Sequence, residues 1–179
     1  AYNSYGIEIP EPELLPIGHD FLATLREHVA ALPANLEPVT VWRAEGSEGR
    51  ITYYRKGRRA DGTTYFVREE DRQLLGADYQ GDVDLQAPLI VLKSESGRVV
   101  AGLTQFTGHP VTAFHPEKTL VFGEWPQVAC DLVSEELGAG EDVPVGFLQG
   151  CAGDVNSKEL LSGNVALSAE FGGKLGASY

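Results

Sequence analysis

Two short stretches hold the residue types that could do chemistry. The first is Thr107-Gly108-His109-Pro110. The proline after His109 biases that histidine towards an extended backbone and away from helix. An imidazole held there can ligate a metal or act as acid and base. A core histidine bonded to a carbonyl is the plain alternative. The second stretch is Gly150-Cys151-Ala152-Gly153-Asp154-Val155-Asn156. Gly150, Ala152 and Gly153 let the chain turn sharply and approach a ligand closely. Amides exposed in such a turn can stabilise an oxyanion or cradle an anion. Asp154 can order the turn, bind a metal or cap the next segment of chain. The plain alternative is a tight strand-to-helix turn. Glu124, before Trp125-Pro126, reads as a carboxylate favoured by a helix dipole.

The elements that must position these stretches are legible in periodicity. Strand 98–107, helix 127–137 and strand 143–149 have the order and lengths of a right-handed βαβ unit. The fold class is therefore α/β, a mixed sheet with helices packed on it. Parallel strands open their carboxyl ends on one edge, where open α/β sheets place ligands. That geometry brings His109 and the Gly150–Asn156 turn to one mouth. The connection Gly108–Trp125 is long for a structureless loop, and long loops are often functional. The nearly continuous apolar run of 143–149 reads as a central strand.

Upstream, Ala1–Pro16 reads as an extended lead-in, and Phe21, Leu22, Leu25, Val29 and Leu32 predict an amphipathic helix over Gly18–Leu32. Short strands follow at Val39–Ala44, with an inward face at Val39, Val41 and Arg43, and at Ile51–Tyr54. A basic loop, Arg55–Arg59, leads to an Asp61-Gly62 turn. Val67–Asp84 reads as a surface excursion. Leu89–Leu92 and Arg98–Thr107 form a hairpin around Ser94–Gly97. Val165–Leu175 is a last helix.

The chain has 179 residues and a net charge of −12, with 42% hydrophobic and 22% charged residues. One domain with a real core is expected. Nothing supplies a basic stripe for nucleic acid, and no apolar run approaches the roughly 18 residues of a membrane span. No methionine is present, so the chain reads as processed or as an interior piece. Cys130 and Cys151 read as two buried free thiols, with one disulfide as the alternative. His115 reads as an exposed loop residue, and His19 and His28 as solvated. Ala1–Pro10 shows no secretory pattern. No Gly-x-Ser-x-Gly, Walker, His-Glu-x-x-His or dinucleotide motif is present.

Three stretches in order carry a family likeness. Gln105-Phe106-Thr107-Gly108-His109-Pro110-Val111 resembles the second histidine motif of the neutral/alkaline non-lysosomal ceramidases and their ceramidase-like relatives. Gly123-Glu124-Trp125-Pro126 sits at an acidic-aromatic-proline run, and Phe147–Asn156 resembles the active-site turn. The resemblance implies a zinc-dependent amidohydrolase that cleaves the N-acyl bond of ceramide to sphingosine and a fatty acid. Its zinc is held by two histidines, a glutamate and a tyrosine. His109 matches the second histidine. The first lies upstream of the first helix, where Ala1–Pro16 has no histidine, and the other two ligands would fall beyond Tyr179. Residues 1–179 are therefore expected to be a single partial catalytic domain, open at both ends and inactive alone.

The family's nucleophile is a serine in Gly-Asp-x-Ser-Pro-Asn. Here Asn156 occupies the serine's place, and Ser157, one residue late, does not inherit the role. The expected site is then His109 as a zinc ligand, with Gly153, Asp154 and Asn156 as the catalytic turn beside a zinc-activated water. The expected partner is a small-molecule or lipid amide. The rivals are a non-catalytic binding or structural module, and a hydrolase of a non-lipid amide or ester.

Overall fold

In a computed structural model, residues 16–67, 79–115, 117, 120–139 and 141–179 are described. Ala1–Leu15 and residues 68–78, including most of the expected excursion, lie outside them. The chain divides into two compact units, Ala1–Pro38 and Val39–Tyr179. The first contains α1 (Pro16–Ala31), followed by a 3-10 turn over Leu32–Asn35 with Pro33 inside it. The helix is where periodicity places it, but Phe21, Leu25 and Val29 are exposed.

The second unit is built on a four-stranded sheet. Its strands are β1 (Val39–Ser47), β5 (Gln86–Ser94), β6 (Val99–Phe106) and β7 (Val145–Gln149), ordered β1-β5-β6-β7. β1, β5 and β6 are antiparallel neighbours, whereas β6 and β7 are parallel. The parallel pair is joined by α2 (Glu124–Gly138), the crossover expected from the sequence. A second helix, α3 (Val165–Gly176), packs on α2. Gly172 permits that close approach: a Cβ there would stand 2.5 Å from Val128 and 2.8 Å from the Trp125 carbonyl.

The core lies between the helices and one face of the sheet. Residues alternate along a strand, so Ala87, Leu89 and Val91 of β5 and Thr104 and Phe106 of β6 point inward. They meet Trp125, Ala129 and Val133 of α2 and Phe171 and Leu175 of α3. Trp125 is fully buried, with its ring edge-on to Phe106 (5.9 Å between centroids) and Phe147 (5.7 Å). The inward Thr104 hydroxyl donates to the Gly146 carbonyl of β7.

Two expectations are corrected. β7 is not central: among the described residues it ends the sheet, and Leu148 is half exposed. An uninterrupted apolar run signals two covered faces, but it does not say how many neighbours share the strand's hydrogen bonds. β1 does not bury Val39 and Val41; Val41 and Trp42, on opposite faces, are both exposed. Cys130 is buried as expected, whereas Cys151 is exposed; both are free.

Shorter ladders complete the unit. β3 (Lys56–Arg58) and β4 (Thr64–Phe66) form a hairpin where a basic loop was expected, closed through the Asp61-Gly62 turn with Gly62 at φ +87°. β2 (Thr52–Tyr54) pairs with β8 (Val155–Ser157), far away in the sequence.

Glu48 clamps the end of α3 to the turn after β1. It is buried and accepts from the Arg50 amide (2.6 Å) and the Ser178 hydroxyl (3.1 Å), and it pairs with the Arg50 guanidinium. Burial pushes its pKa up, but the hydrogen bonds from Arg50 and Ser178 and the Arg50 charge outweigh it, so the carboxyl titrates below its ordinary range. A lowered folded pKa contributes stability above the unfolded value, and that contribution is lost as pH falls through the folded one. The stability gap between wild type and Glu48→Gln should therefore be flat above pH 4.5 and shrink below it. Chemical denaturation from pH 7 to pH 3 measures this; a gap that grows on acidification contradicts it.

Candidate active site

The parallel register decides what lies at the strand ends. Phe106 pairs with Gln149, so Thr107–Pro110 and Gly150–Asn156 leave the sheet side by side. His109 and Asn156 form a parallel bridge. The His109 amide donates to the Val155 carbonyl at 3.0 Å, and Nδ1 of its ring lies 3.1 Å from the same oxygen. A carbonyl can only accept, which assigns the proton to Nδ1 and leaves the Nε2 lone pair for a ligand or proton. The ring is partly exposed. One ring nitrogen of His109 is thus bonded to a carbonyl, as the plain reading of that residue expects.

Asn156 is 7% exposed, with its Oδ1 accepting from Nη1 of Arg55 at 3.1 Å. Nη2 of Arg55 donates to the Gly153 carbonyl at 2.8 Å, and the Arg55 amide donates to the Asp154 carbonyl at 2.8 Å. The guanidinium also sits 5.0 Å above the Phe66 ring. Arg55 follows β2 directly, so the β2–β8 ladder carries it to the turn. In the sequence it is only the start of a basic run. Pairing of two three-residue strands so distant in sequence leaves no periodic signal.

Ser157 is fully buried; its hydroxyl donates to the His109 carbonyl (2.7 Å) and accepts from Nε1 of Trp125 (3.0 Å). Its hydroxyl supports the site from beneath, in keeping with its not inheriting the nucleophile's role.

Among the glycines, Gly150 is required by close approach: an added Cβ would fall 2.2 Å from the Thr107 hydroxyl and 2.5 Å from the Gln105 amide. Gly153 has nothing within 4 Å and no positive φ. The sharp turn expected of Gly153 therefore does not depend on its being glycine. Asp154 borders a cleft of about 590 Å³ with Tyr54, Gln105, Thr107 and Cys151, at the carboxyl ends of the parallel strands.

Glu124 is more than a charge at a helix end. It is buried at φ +59°, and its Oε1 accepts from the amides of Ala113 (2.7 Å) and Phe114 (3.1 Å). Its Oε2 accepts from the Ser168 hydroxyl of α3 at 2.6 Å. The carboxylate pins the start of the long connection after His109 to both helices. His115 accepts from the Glu117 amide and lines a separate apolar pocket with Val111 and Phe122. His19 is exposed, and Nδ1 of His28 bonds the Thr24 carbonyl within α1. Among the described residues, no three His, Cys, Asp or Glu side chains form a group that could hold a metal.

The fold of the chain has solved counterparts. The neutral ceramidase of Pseudomonas aeruginosa superposes with a TM-score of 0.64 over 90% of this chain and 25% of that one, at 14% identity. The fold is that of neutral ceramidase. A ceramidase complexed with C2 superposes with a TM-score of 0.58 over 82% of this chain and 22% of its own, at 15% identity. The chain thus spans about a quarter of the length of these ceramidases. No protein-family profile and no curated protein sequence matches it. No helix among the described residues is long and apolar enough to cross a membrane.

Proposed function

We propose that the chain belongs to a metal-dependent hydrolase of amide bonds, resembling neutral ceramidase, with Asn156 in the serine position. The observation that carries this reading is the His109 ring, oriented by the Val155 carbonyl through Nδ1. Outer-shell hydrogen bonds of this kind are typical of histidines that ligate metals through their other nitrogen. That nitrogen chemistry fits zinc, and His109 is the ligand assigned here. Zinc, when bound, supplies Lewis acidity.

The remaining roles belong to the chain's own residues. A guanidinium is a donor only, so Arg55 faces Oδ1 of Asn156 and fixes the amide's orientation. Nδ2 is then the donor available to a developing oxyanion. Asp154 and Gly153 shape the turn that presents Asn156, and Arg55 fixes that turn by donating to the Gly153 carbonyl. An asparagine is no nucleophile, so the substrate carbonyl is attacked by water.

The test is zinc content of the full-length protein carrying this chain, with and without His109→Ala. Loss of an assigned ligand should lower zinc affinity by about 10–100-fold or more, given that outer-shell changes alone have effects of that size. Equal zinc content in both proteins overturns the assignment. A second reading, a non-catalytic module, is favoured by the burial of Ser157, which leaves the turn without a serine nucleophile. It predicts no turnover of N-acyl amides or esters with zinc restored.

A further inference from the structure

The β3–β4 hairpin is a cationic feature on an acidic chain. Four of the 14 Lys and Arg residues lie within Arg55–Arg59, while the net charge of the chain is −12. The hairpin's one carboxylate, Asp61, is engaged inside the turn, where Oδ1 accepts from the amide (2.9 Å) and the hydroxyl (2.7 Å) of Thr63. Among the described residues, Lys56, Arg58 and Arg59 form no ion pair with a carboxylate. β3 and β4 pack chiefly on each other. Their register sorts the two faces. Lys56 pairs with Phe66 and Arg58 with Thr64, so these four residues share one face. All four are exposed, Phe66 by 60%. On the other face Tyr65 covers Gly57, where an added Cβ would fall 2.2 Å from the ring, and the Arg59 guanidinium lies 4.9 Å from the ring centroid.

We propose that the face carrying Lys56, Arg58 and Phe66 docks on an anionic lipid surface. The two cations meet the charged headgroups, and the Phe66 ring enters the boundary between headgroups and acyl chains. The hairpin is rooted at the candidate site. It begins at Arg55, which holds Asn156 and the Gly153 carbonyl, and it closes where the Val67 amide donates to the Arg55 carbonyl at 2.7 Å. Docking through the hairpin therefore sets the Gly150–Asn156 turn close to the bilayer. The acidic remainder of the chain does not prevent this, because charges more than ~8 Å from the surface are largely screened at physiological ionic strength. A nucleic acid is the poorer fit, since three cations neutralise few phosphates and release few counterions.

The experiment is co-sedimentation of the full-length protein carrying this chain with two kinds of vesicle. One is phosphatidylcholine alone, and the other is a two-to-one mixture with phosphatidylserine. Binding is read without turnover, so this inference and the hydrolase reading can fail separately. The mixed vesicles should bind about tenfold more tightly or better. Raising the salt from about 0.1 M to about 1 M, which shortens the screening length from ~10 Å to ~3 Å, should release the protein. Each cation near an anionic surface strengthens binding by about fivefold. Arg58→Gln should therefore cost about fivefold, and Lys56→Gln with Arg58→Gln about 25-fold. Arg58→Lys should bind as wild type, because a bilayer reads charge rather than the guanidinium fork. Arg26→Gln, an exposed charge on α1, should have no effect. Equal affinity for both vesicles, wild-type affinity in the double variant, or an equal loss with Arg26→Gln overturns the proposal. A loss with Arg58→Lys as large as with Arg58→Gln marks a discrete phosphate pocket, and tighter binding to single-stranded RNA than to the mixed vesicles marks another polyanion; either result also overturns it.

Discussion

Trp125→Ala is expected to lower stability by about 3–5 kcal/mol, the cost of truncating a large aromatic in a packed core. The side chain is fully buried and meets Phe106 and Phe147 at 5.9 and 5.7 Å between ring centroids, so its loss opens a cavity between α2 and both parallel strands. The damage also reaches the site. Nε1 of Trp125 donates to Ser157, whose hydroxyl in turn donates to the His109 carbonyl. Trp125→Phe separates the two effects, because it keeps an aromatic ring in the core and loses the donor. It should cost about 1–2 kcal/mol, in line with a buried hydrogen bond and a smaller ring. Urea denaturation of both variants provides the numbers. An alanine variant within about 1 kcal/mol of wild type would mean that the ring does not sit in the core as described.

Glu124→Ala is expected to cost about 2–4 kcal/mol, because it leaves the buried Ala113 amide and the Ser168 hydroxyl without their acceptor. A less obvious comparison tests the backbone. At φ +59° a non-glycine residue is strained, by roughly 1 kcal/mol on the handedness argument. Glu124→Gly removes the same hydrogen bonds and relieves that strain. The glycine variant should therefore be the more stable of the two by about 1 kcal/mol, contrary to the usual ranking of alanine over glycine near a helix. Urea denaturation of the pair decides it. If alanine is instead the more stable, the carboxylate does not hold its backbone against an intrinsic preference.

These two residues also mark where the sequence was legible. The crossover 99–149 was readable because α2 has a helical period between two short β-rich runs, and chain order then makes the strands parallel. That was enough to place His109 beside the Gly150–Asn156 turn. The ends of the elements were less accurate, and α2 begins at Glu124 rather than residue 127 because a positive φ admits the chain from an unexpected direction. Glu124 itself read as a dipole partner because its hydrogen-bond donors come from the connection and from another helix. Arg55 was invisible for the same reason: its role depends on the pairing of Tyr54 with Val155. Non-local hydrogen bonds leave no mark on local periodicity. Ser157 is the contrasting case, since it stands one residue late against the family motif the sequence resembles, and a one-residue offset on a strand reverses the face.

The position of β7 at the end of the sheet has a consequence for handling the protein. An outermost strand offers its free row of amides and carbonyls as a template for any other extended segment. β7 is short, its sequence Val-Gly-Phe-Leu-Gln carries neither a charge nor a proline to discourage pairing, and Leu148 is half exposed on it. Two copies of this chain meeting edge to edge could continue the ladder across both. Solutions of the 179-residue chain should therefore self-associate more readily as concentration rises, despite a net charge of −12 that keeps molecules apart at low ionic strength and less so in salt.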